Sequence, residues 1–271
     1  MPKYVVLEKK VGQTPLQCAE MWRGQQTDTH RSVPLSYAGR LDPMASGKLL
    51  VLIGEECKNQ EQYHGLDKEY VFEVLFGVAS DTGDVLGRLT TCDVQNISKE
   101  TLSKITQSLV GDVALPYPHY SSKTVQGKPL HTWALEGRLN EITIPTKVST
   151  IHHLECTFLR NVPRDKVHTY ASKKIETIPK VTEVSKALGN DFRRVDVRKD
   201  WKKFLEVGSP DDTFYIAKFT CVASSGTYMR TLAEVIAKKL DTCGLAYSIH
   251  RTKIGVYQPL PFNLGFWKKL F

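Results

Sequence analysis

No apolar run in this 271-residue chain is long enough to span a bilayer. The longest, Leu49-Leu50-Val51-Leu52-Ile53, has five residues against the roughly 20 that a membrane helix requires. The start, Met-Pro-Lys-Tyr-Val-Val-Leu-Glu-Lys-Lys, has no extended apolar stretch and no small-residue cleavage site, so no secretory leader and no membrane association are expected. Cysteine is sparse and scattered: the six residues at 18, 57, 92, 156, 221 and 243 contain no Cys-x-x-Cys pair. That spacing argues against zinc and against a disulfide scaffold, and predicts reduced, mostly buried thiols of a cytoplasmic protein. The adjacent His152-His153 forms no metal-binding signature, and no metal is expected. A phosphate loop is absent too. Ser46-Gly47-Lys48 invites that reading, but seven residues separate Gly39 from Gly47 and Leu49 follows the lysine, whereas the loop needs four residues between its glycines and Ser or Thr after Lys.

Charge of one sign is in modest excess: 37 Lys and Arg against 29 Asp and Glu give a net +8. A basic balance suggests a polyanionic partner, yet it is concentrated. Residues 160–203 hold 13 basic and 6 acidic side chains, a net +7, which leaves +1 for the other 227 residues.

Hydrophobic periodicity gives an α+β reading with a mixed or mostly antiparallel sheet flanked by helices. Strands are predicted at Tyr4–Lys10, Leu49–Ile53, Lys68–Val78, Ile142–Ile144, His153–Arg160 and Thr213–Val222. Helices are predicted from Thr14 to Gly24, from Ser98 to Gly111, and from about Ser224–Thr227 to Leu240. The basic stretch at about 160–212 reads as an insertion into a single domain covering 1–271, with one helix from Pro179 to Gly189 and a second near Asp200–Val207. There is no visible repeat and no regular βαβ rhythm.

The loop Gly39-Arg40-Leu41-Asp42-Pro43-Met44-Ala45-Ser46-Gly47 holds a carboxylate between two glycines, and Pro43 biases Asp42 toward an extended backbone. Alone, such an aspartate is an ordinary turn residue. With Lys48-Leu49 and Gly54-Glu55-Glu56-Cys57-Lys58, however, the stretch resembles the signature of the TruB-type pseudouridine synthases: Gly-x-Leu-Asp-Pro-x-Ala-x-Gly-x-Leu, a buried strand, then Gly-x-x-x-Lys. Other segments resemble the same family. They are Leu7 to Gly12 with Thr14 (Lys10 replacing the usual Pro), Lys68-Glu69-Tyr70, and Asp81-Thr82-Gly83-Asp84 with Gly87. Tyr120-Ser121-Ser122-Lys123 with Gly127 and Ser224-Ser225-Gly226-Thr227-Tyr228-Met229-Arg230-Thr231-Leu232 agree as well. The resemblance covers about 4–160 and 213–258.

It implies the pseudouridine-synthase fold with a central RNA-binding cleft, and a cofactor-free, metal-free isomerisation of uridine to pseudouridine in the T-loop of tRNA. Asp42 is then the nucleophile, attacking either C6 of the base or C1′ of the sugar. Arg230 near a helix start gains nothing from the helix dipole; by position alone it would be a solvated arginine, but the resemblance implies an Asp42–Arg230 ion pair. Tyr70, otherwise a core tyrosine, would pack against the flipped uracil, and Ile249 would close the pocket. Lys9, Lys58 and Lys123 carry the family's lysines. Tyr37 stands where bacterial members carry a stacking His, and Arg40 replaces a small residue. The additional C-terminal RNA-binding (PUA) domain of many relatives is expected to be missing. Arg193, Arg194, Lys202 and Lys203 of the insertion then become candidates for compensating phosphate contacts. The expected partner is tRNA, with no obligatory protein partner and a monomeric state. The alternatives are an RNA-guided subunit of the dyskerin type, or a non-catalytic tRNA-binding or tRNA-folding protein on the same scaffold.

Overall fold

The computed structural model describes residues 2–26, 32–93, 96–179, 193–209, 211–261 and 264–271. In chain order the elements are β1 (Tyr4–Lys9), α1 (Pro15–Gly24), β2 (Leu35–Ala38), β3 (Ser46–Ile53), a 3-10 segment (Gly54–Tyr63), β4 (Asp67–Phe76), β5 (Val78–Ser80) and β6 (Leu89–Thr91). They continue with α2 (Lys99–Ser108), β7 (Gly111–Pro116), β8 (Thr124–Val125), β9 (Lys128–Pro129), α3 (Leu130–Leu135) and β10 (Thr146–Pro163). The remainder is α4 (Arg164–Thr177), α5 (Arg194–Glu206), β11 (Thr213–Ala223), α6 (Met229–Lys238), β12 (Gly244–Leu260) and β13 (Leu264–Leu270).

Nine strands form one sheet in the order β1-β3-β12-β4-β11-β10-β7, with β2 added on β3 and β13 on β12. All pairings are antiparallel except β3 with β12, where His250 faces Ser46 and Arg251 faces Gly47. The sheet is therefore mixed, as its pattern predicts. Its centre is apolar on both faces toward the end of β4, where Phe72 through Phe76 are all buried; Phe72 stacks on Phe219 of β11 at 5.2 Å.

Local signals explain most of the helices. Thr14 accepts from the Gln17 amide and the Gln17 side chain returns to the Thr14 amide, a complete capping box ahead of Pro15. Ser98 caps α2. Along α6, Leu232, Ala233, Ile236 and Ala237 are buried at helical spacing.

Several expectations need correction. Ile142–Ile144 is not a strand; a 3-10 turn at Leu139–Glu141 precedes it and pairing begins only at Thr146, after Pro145. Proline has no N–H to give a ladder, which accounts for the late start. The long β12 and the short β2 and β13 left no period-two signature. The first part of β12 is buried on both faces, which erases alternation. The helix predicted from Pro179 to Gly189 lies, beyond its first residue, outside the described residues.

The thiols are not all reduced either. Cys92 after β6 and Cys243 before β12 form a disulfide across 151 residues, while Cys18, Cys57, Cys156 and Cys221 are free. Gly77 brings the two together: its amide donates to the Cys243 carbonyl at 2.9 Å, and its carbonyl accepts from the Cys92 amide at 3.1 Å. Sequence spacing cannot register such a tertiary contact.

The basic excursion starts and ends on paired residues, Pro163 opposite Thr213, so it leaves from the tip of the β10–β11 hairpin. Its two described helices pack into the domain. Val167, Ala171 and Ile175 of α4 join Val197, Trp201 and Phe204 of α5 in the main hydrophobic cluster.

Candidate active site

The β2–β3 hairpin carries the Asp42 loop, and buried cations beneath it hold the loop by its carbonyls. Lys9, fully buried, donates from Nζ to the Ala45 carbonyl at 2.5 Å and the Lys10 carbonyl at 3.1 Å. Arg251, on β12, donates to the carbonyls of Lys48 (2.7 Å), Gly39 (3.0 Å) and Arg40 (3.5 Å). Lys68, at the start of β4, reaches Ser225 Oγ at 3.0 Å. Burial pushes both Lys9 and Lys68 down to about 8. Gly47 adopts φ +107°, and a Cβ there would lie 2.2 Å from the Arg251 carbonyl oxygen. Only glycine lets β3 and β12 approach this closely.

Asp42 meets Arg230 as the resemblance implies: Nε donates to Oδ2 at 2.8 Å. The Arg230 side chain is 5% exposed and that of Asp42 39%, so the carboxylate faces the cavity while the guanidinium backs it. The other two nitrogens are committed inward, Nη1 to the Thr82 carbonyl at 2.7 Å and Nη2 to the Tyr120 carbonyl at 3.4 Å. A second carboxylate, Asp84 Oδ2, lies 3.9 Å from Nε. Asp84 accepts from Thr82 Oγ1 at 2.8 Å and from the Leu86 amide at 2.9 Å. Burial opposes the Arg230 charge, but Asp42 and Asp84 outweigh it and keep the guanidinium firmly ionised. Burial also raises the Asp84 carboxyl, against the pull of Arg230.

Asp42, Arg230 and Tyr120 line a cavity of about 550 Å³ together with Tyr70, Ile249 and Arg40. Its volume lies within the range of small-ligand sites. Tyr70 and Ile249 come from β4 and β12, the two central strands, whose neighbouring partners Phe72 and Ile249 lie in register. The remaining expected residues lie elsewhere. Lys9 sits under the loop. Tyr37 packs from β2 against the Cys18, Ala19, Leu49 and Val51 cluster. Lys58 pairs with Glu55 on the 3-10 segment. Lys123 is exposed, 5.4 Å from the Tyr117 ring, and that ring meets Tyr228 of the cavity wall edge-on.

The four insertion residues divide. Arg193 is ion-paired with Asp81 and 20% exposed, and Arg194 is buried, whereas Lys202 and Lys203 face solvent. They do not form one phosphate-contacting face: Arg193 and Arg194 open α5 on its inner side, while the lysines lie on its outer side.

Sequence reasoning missed Arg251, Lys68, Asp84 and His131, all at or beside the cavity; His131 Nδ1 lies 3.0 Å from the Ser121 carbonyl. The signal for Asp84 was present in the Asp81-to-Gly87 segment, but nothing in spacing pointed it at Arg230. Among the described residues there is no group of three or more His, Cys, Asp or Glu side chains able to hold a metal ion, and no helix long and apolar enough to cross a membrane.

A mixed, mostly antiparallel sheet flanked by helices, with the Asp42–Arg230 pair beside a cleft at its centre, is the pseudouridine-synthase fold. Residues 30–176 match the TruB family pseudouridylate synthase, N terminal domain, and the chain belongs to that family. It is 28% identical over 233 residues to tRNA pseudouridine synthase B of Caldicellulosiruptor saccharolyticus, covering 86% of this chain and 62% of that one. It is 29% identical to tRNA pseudouridine synthase 4 of Saccharomyces cerevisiae, with coverage of 77% and 57%. Against tRNA pseudouridine synthase B of Methylobacillus flagellatus identity is 32%, with coverage of 89% and 60%. The chain thus spans about three-fifths of the length of these curated relatives. A chain in a crystal structure of a Cbf5-Nop10-Gar1 complex shares the fold, with TM-score 0.51 and 12% identity, over 93% of this chain and 48% of that one.

Proposed function

We propose that this protein isomerises uridine to pseudouridine in tRNA, at the T-loop, with Asp42 as nucleophile and without a cofactor. The observation that carries the reading is the 2.8 Å Arg230–Asp42 contact at the wall of a cavity that also holds Tyr70 and Ile249. A carboxylate paired on one oxygen is oriented, and its other oxygen is left for attack. The target nucleotide leaves its stack to enter the cleft, and the Tyr70 ring offsets part of that cost. Asp42 bonds to C1′ or to C6 and that bond is broken again to free it; the N1–C1′ bond breaks, the uracil turns, C5 bonds to C1′, and the C5 proton is lost as N1 regains one. Arg40, at the rim, is suited to a phosphate of the RNA. The relatives named tRNA pseudouridine synthase supply the substrate class. We place the enzyme in the cytoplasm as a monomer that needs no protein partner, as a single catalytic domain with the 160–212 excursion as part of it.

The test is incubation of the purified protein with an unmodified tRNA transcript, followed by mapping of pseudouridine. Product at the T-loop is expected without any guide RNA or added protein. No product at any position would overturn the reading. Asp42→Asn is expected to abolish turnover while tRNA binding persists; binding lost in step with activity would remove Asp42 from the nucleophile role.

A further inference from the structure

We propose that Arg193, in the basic excursion, is a positioning residue that fixes the orientation of Arg230 and, through it, of Asp42. The proposal rests on the enzymatic reading above. Arg193 opens α5 in the left-handed region, φ +62°, a conformation that a side chain other than glycine keeps only where its surroundings demand it. Two contacts supply that demand. Its guanidinium carbon stands 4.5 Å from the centroid of the Tyr120 ring, and both of its terminal nitrogens face the Asp81 carboxylate, Nη2 to Oδ1 at 3.2 Å. Asp81 is itself fixed, since Oδ1 accepts from the Arg88 amide at 2.9 Å.

These two partners are the segments that cradle Arg230. The carbonyl of Thr82, next to Asp81, takes Arg230 Nη1, and the carbonyl of Tyr120 takes Nη2. A planar guanidinium held at both terminal nitrogens has no freedom left to turn its Nε, and Nε is the atom that meets Asp42. Arg193 thus clasps two loops, which a hydrogen bond between the Tyr120 and Asp81 side chains also joins, and their separation sets the pitch of the catalytic fork. The rest of α5 braces the same hairpin from behind. Asp200 accepts from Arg88 Nε at 2.6 Å and from the Leu89 amide at 3.1 Å, and Trp201 Nε1 donates to the Val85 carbonyl at 3.0 Å.

The experiment compares wild-type protein with Arg193→Met, Arg193→Lys, Asp81→Asn and the Arg193→Met/Asp81→Asn double variant on an unmodified tRNA transcript. Displacing a catalytic group by a fraction of an ångström costs about ten- to hundredfold in rate. Arg193→Met is therefore expected to lower kcat at least tenfold with KM for tRNA within about twofold. Arg193→Lys, which keeps the ion pair and loses the planar stack, should recover part of it. Because both remove the shared Arg193–Asp81 ion pair, the rate loss in the double variant should fall short of the product of the two single losses. A raised KM with unchanged kcat, together with a salt slope of binding reduced by about one, would make Arg193 a phosphate contact and overturn the proposal. Multiplying effects in the double variant would overturn it as well. A second readout does not need turnover: the Nε–H resonance of Arg230, buried and bonded to Asp42, should shift in Arg193→Met and stay in place in Lys202→Met. If wild-type protein makes no pseudouridine, the enzymatic reading fails, and this resonance alone decides whether Arg193 orients Arg230; an unmoved signal refutes it.

Discussion

Arg230 sits between an outer carboxylate that faces the cleft and an inner one that does not. The inner one, Asp84, has a clear task. Without it, Asp42 would carry more of the pairing with the buried guanidinium and would be held more tightly in the ground state, to the detriment of attack. Asp84→Asn keeps an acceptor for the Leu86 amide and removes only the charge, so turnover should fall at least tenfold while stability changes by no more than about 1–2 kcal/mol. Asp84→Ala leaves the Leu86 amide and Thr82 hydroxyl without their partner, and should cost about 2–3 kcal/mol in addition to the rate. Single-turnover kinetics and urea unfolding on both variants separate the two effects. Gly47 tests the loop from below. With its φ of +107° and no room for a Cβ against Arg251, Gly47→Ala should lose about 2–4 kcal/mol, read as a lower urea midpoint. Asp42, Arg230 and the glycine frame were legible because they sit within gapless motifs. The roles of Arg251 and Lys68 were not, since a cation spent on backbone carbonyls leaves no pattern in the residues around it.

Among the elements, those with local signals were readable: α1 through its capping box, α2 through Ser98, and β4 through its alternation. β12 was invisible although it lies between β3 and β4 at the centre of the sheet, because a strand buried on both faces has no period. The packing of the excursion leaves little trace in its composition. Its lysines and arginines dominate the composition, yet every third or fourth position in α4 and α5 faces the core. Trp201 is the anchor, almost fully buried against Val85 and Phe204. Trp201→Ala should cost about 3–5 kcal/mol by chemical unfolding, which a solvated arm would not show. Lys174 of α4 gives a pH test of the same packing. Its Nζ donates to the Tyr247 carbonyl at 2.8 Å and lies over the Tyr170 ring, and burial lowers it to about 8. Between pH 8 and its unfolded value of 10.5 the unfolded chain holds a proton that the folded chain has released, so this lysine makes stability rise with pH over that window. Lys174→Met should remove up to one proton's worth of that slope. Because Lys9, Lys68 and the buried thiols are unchanged in the variant, the difference between the two pH profiles isolates Lys174.

At the scale of the whole molecule, the +7 of residues 160–203 does not act as a single charged surface. Part of it is consumed internally: Arg160 pairs with Glu73, Arg164 with Asp212, Arg193 with Asp81 and Arg198 with Glu176. What remains toward solvent on α5 is Lys199, Lys202 and Lys203. Arg193 ties the excursion to the domain, Arg164 and Arg198 pair within it, and Lys199, Lys202 and Lys203 face outward. Among the described residues, the lysines of the excursion placed to neutralise phosphates are Lys166 and Lys173 on α4 and Lys199, Lys202 and Lys203 on α5. Lys202→Gln with Lys203→Gln should flatten the dependence of log K on log salt by up to about two, leaving kcat unchanged. Arg194→Gln, a buried position, should lower the unfolding midpoint and leave the slope alone. The three measurements together distinguish a charge that binds RNA from a charge that builds the site, which net charge and pI cannot do. A slope unmoved by the lysine pair would show that Lys202 and Lys203 make no phosphate contact, and would leave α5 with the packing of Trp201 and Phe204 and the ion pairs of Arg193 and Asp200.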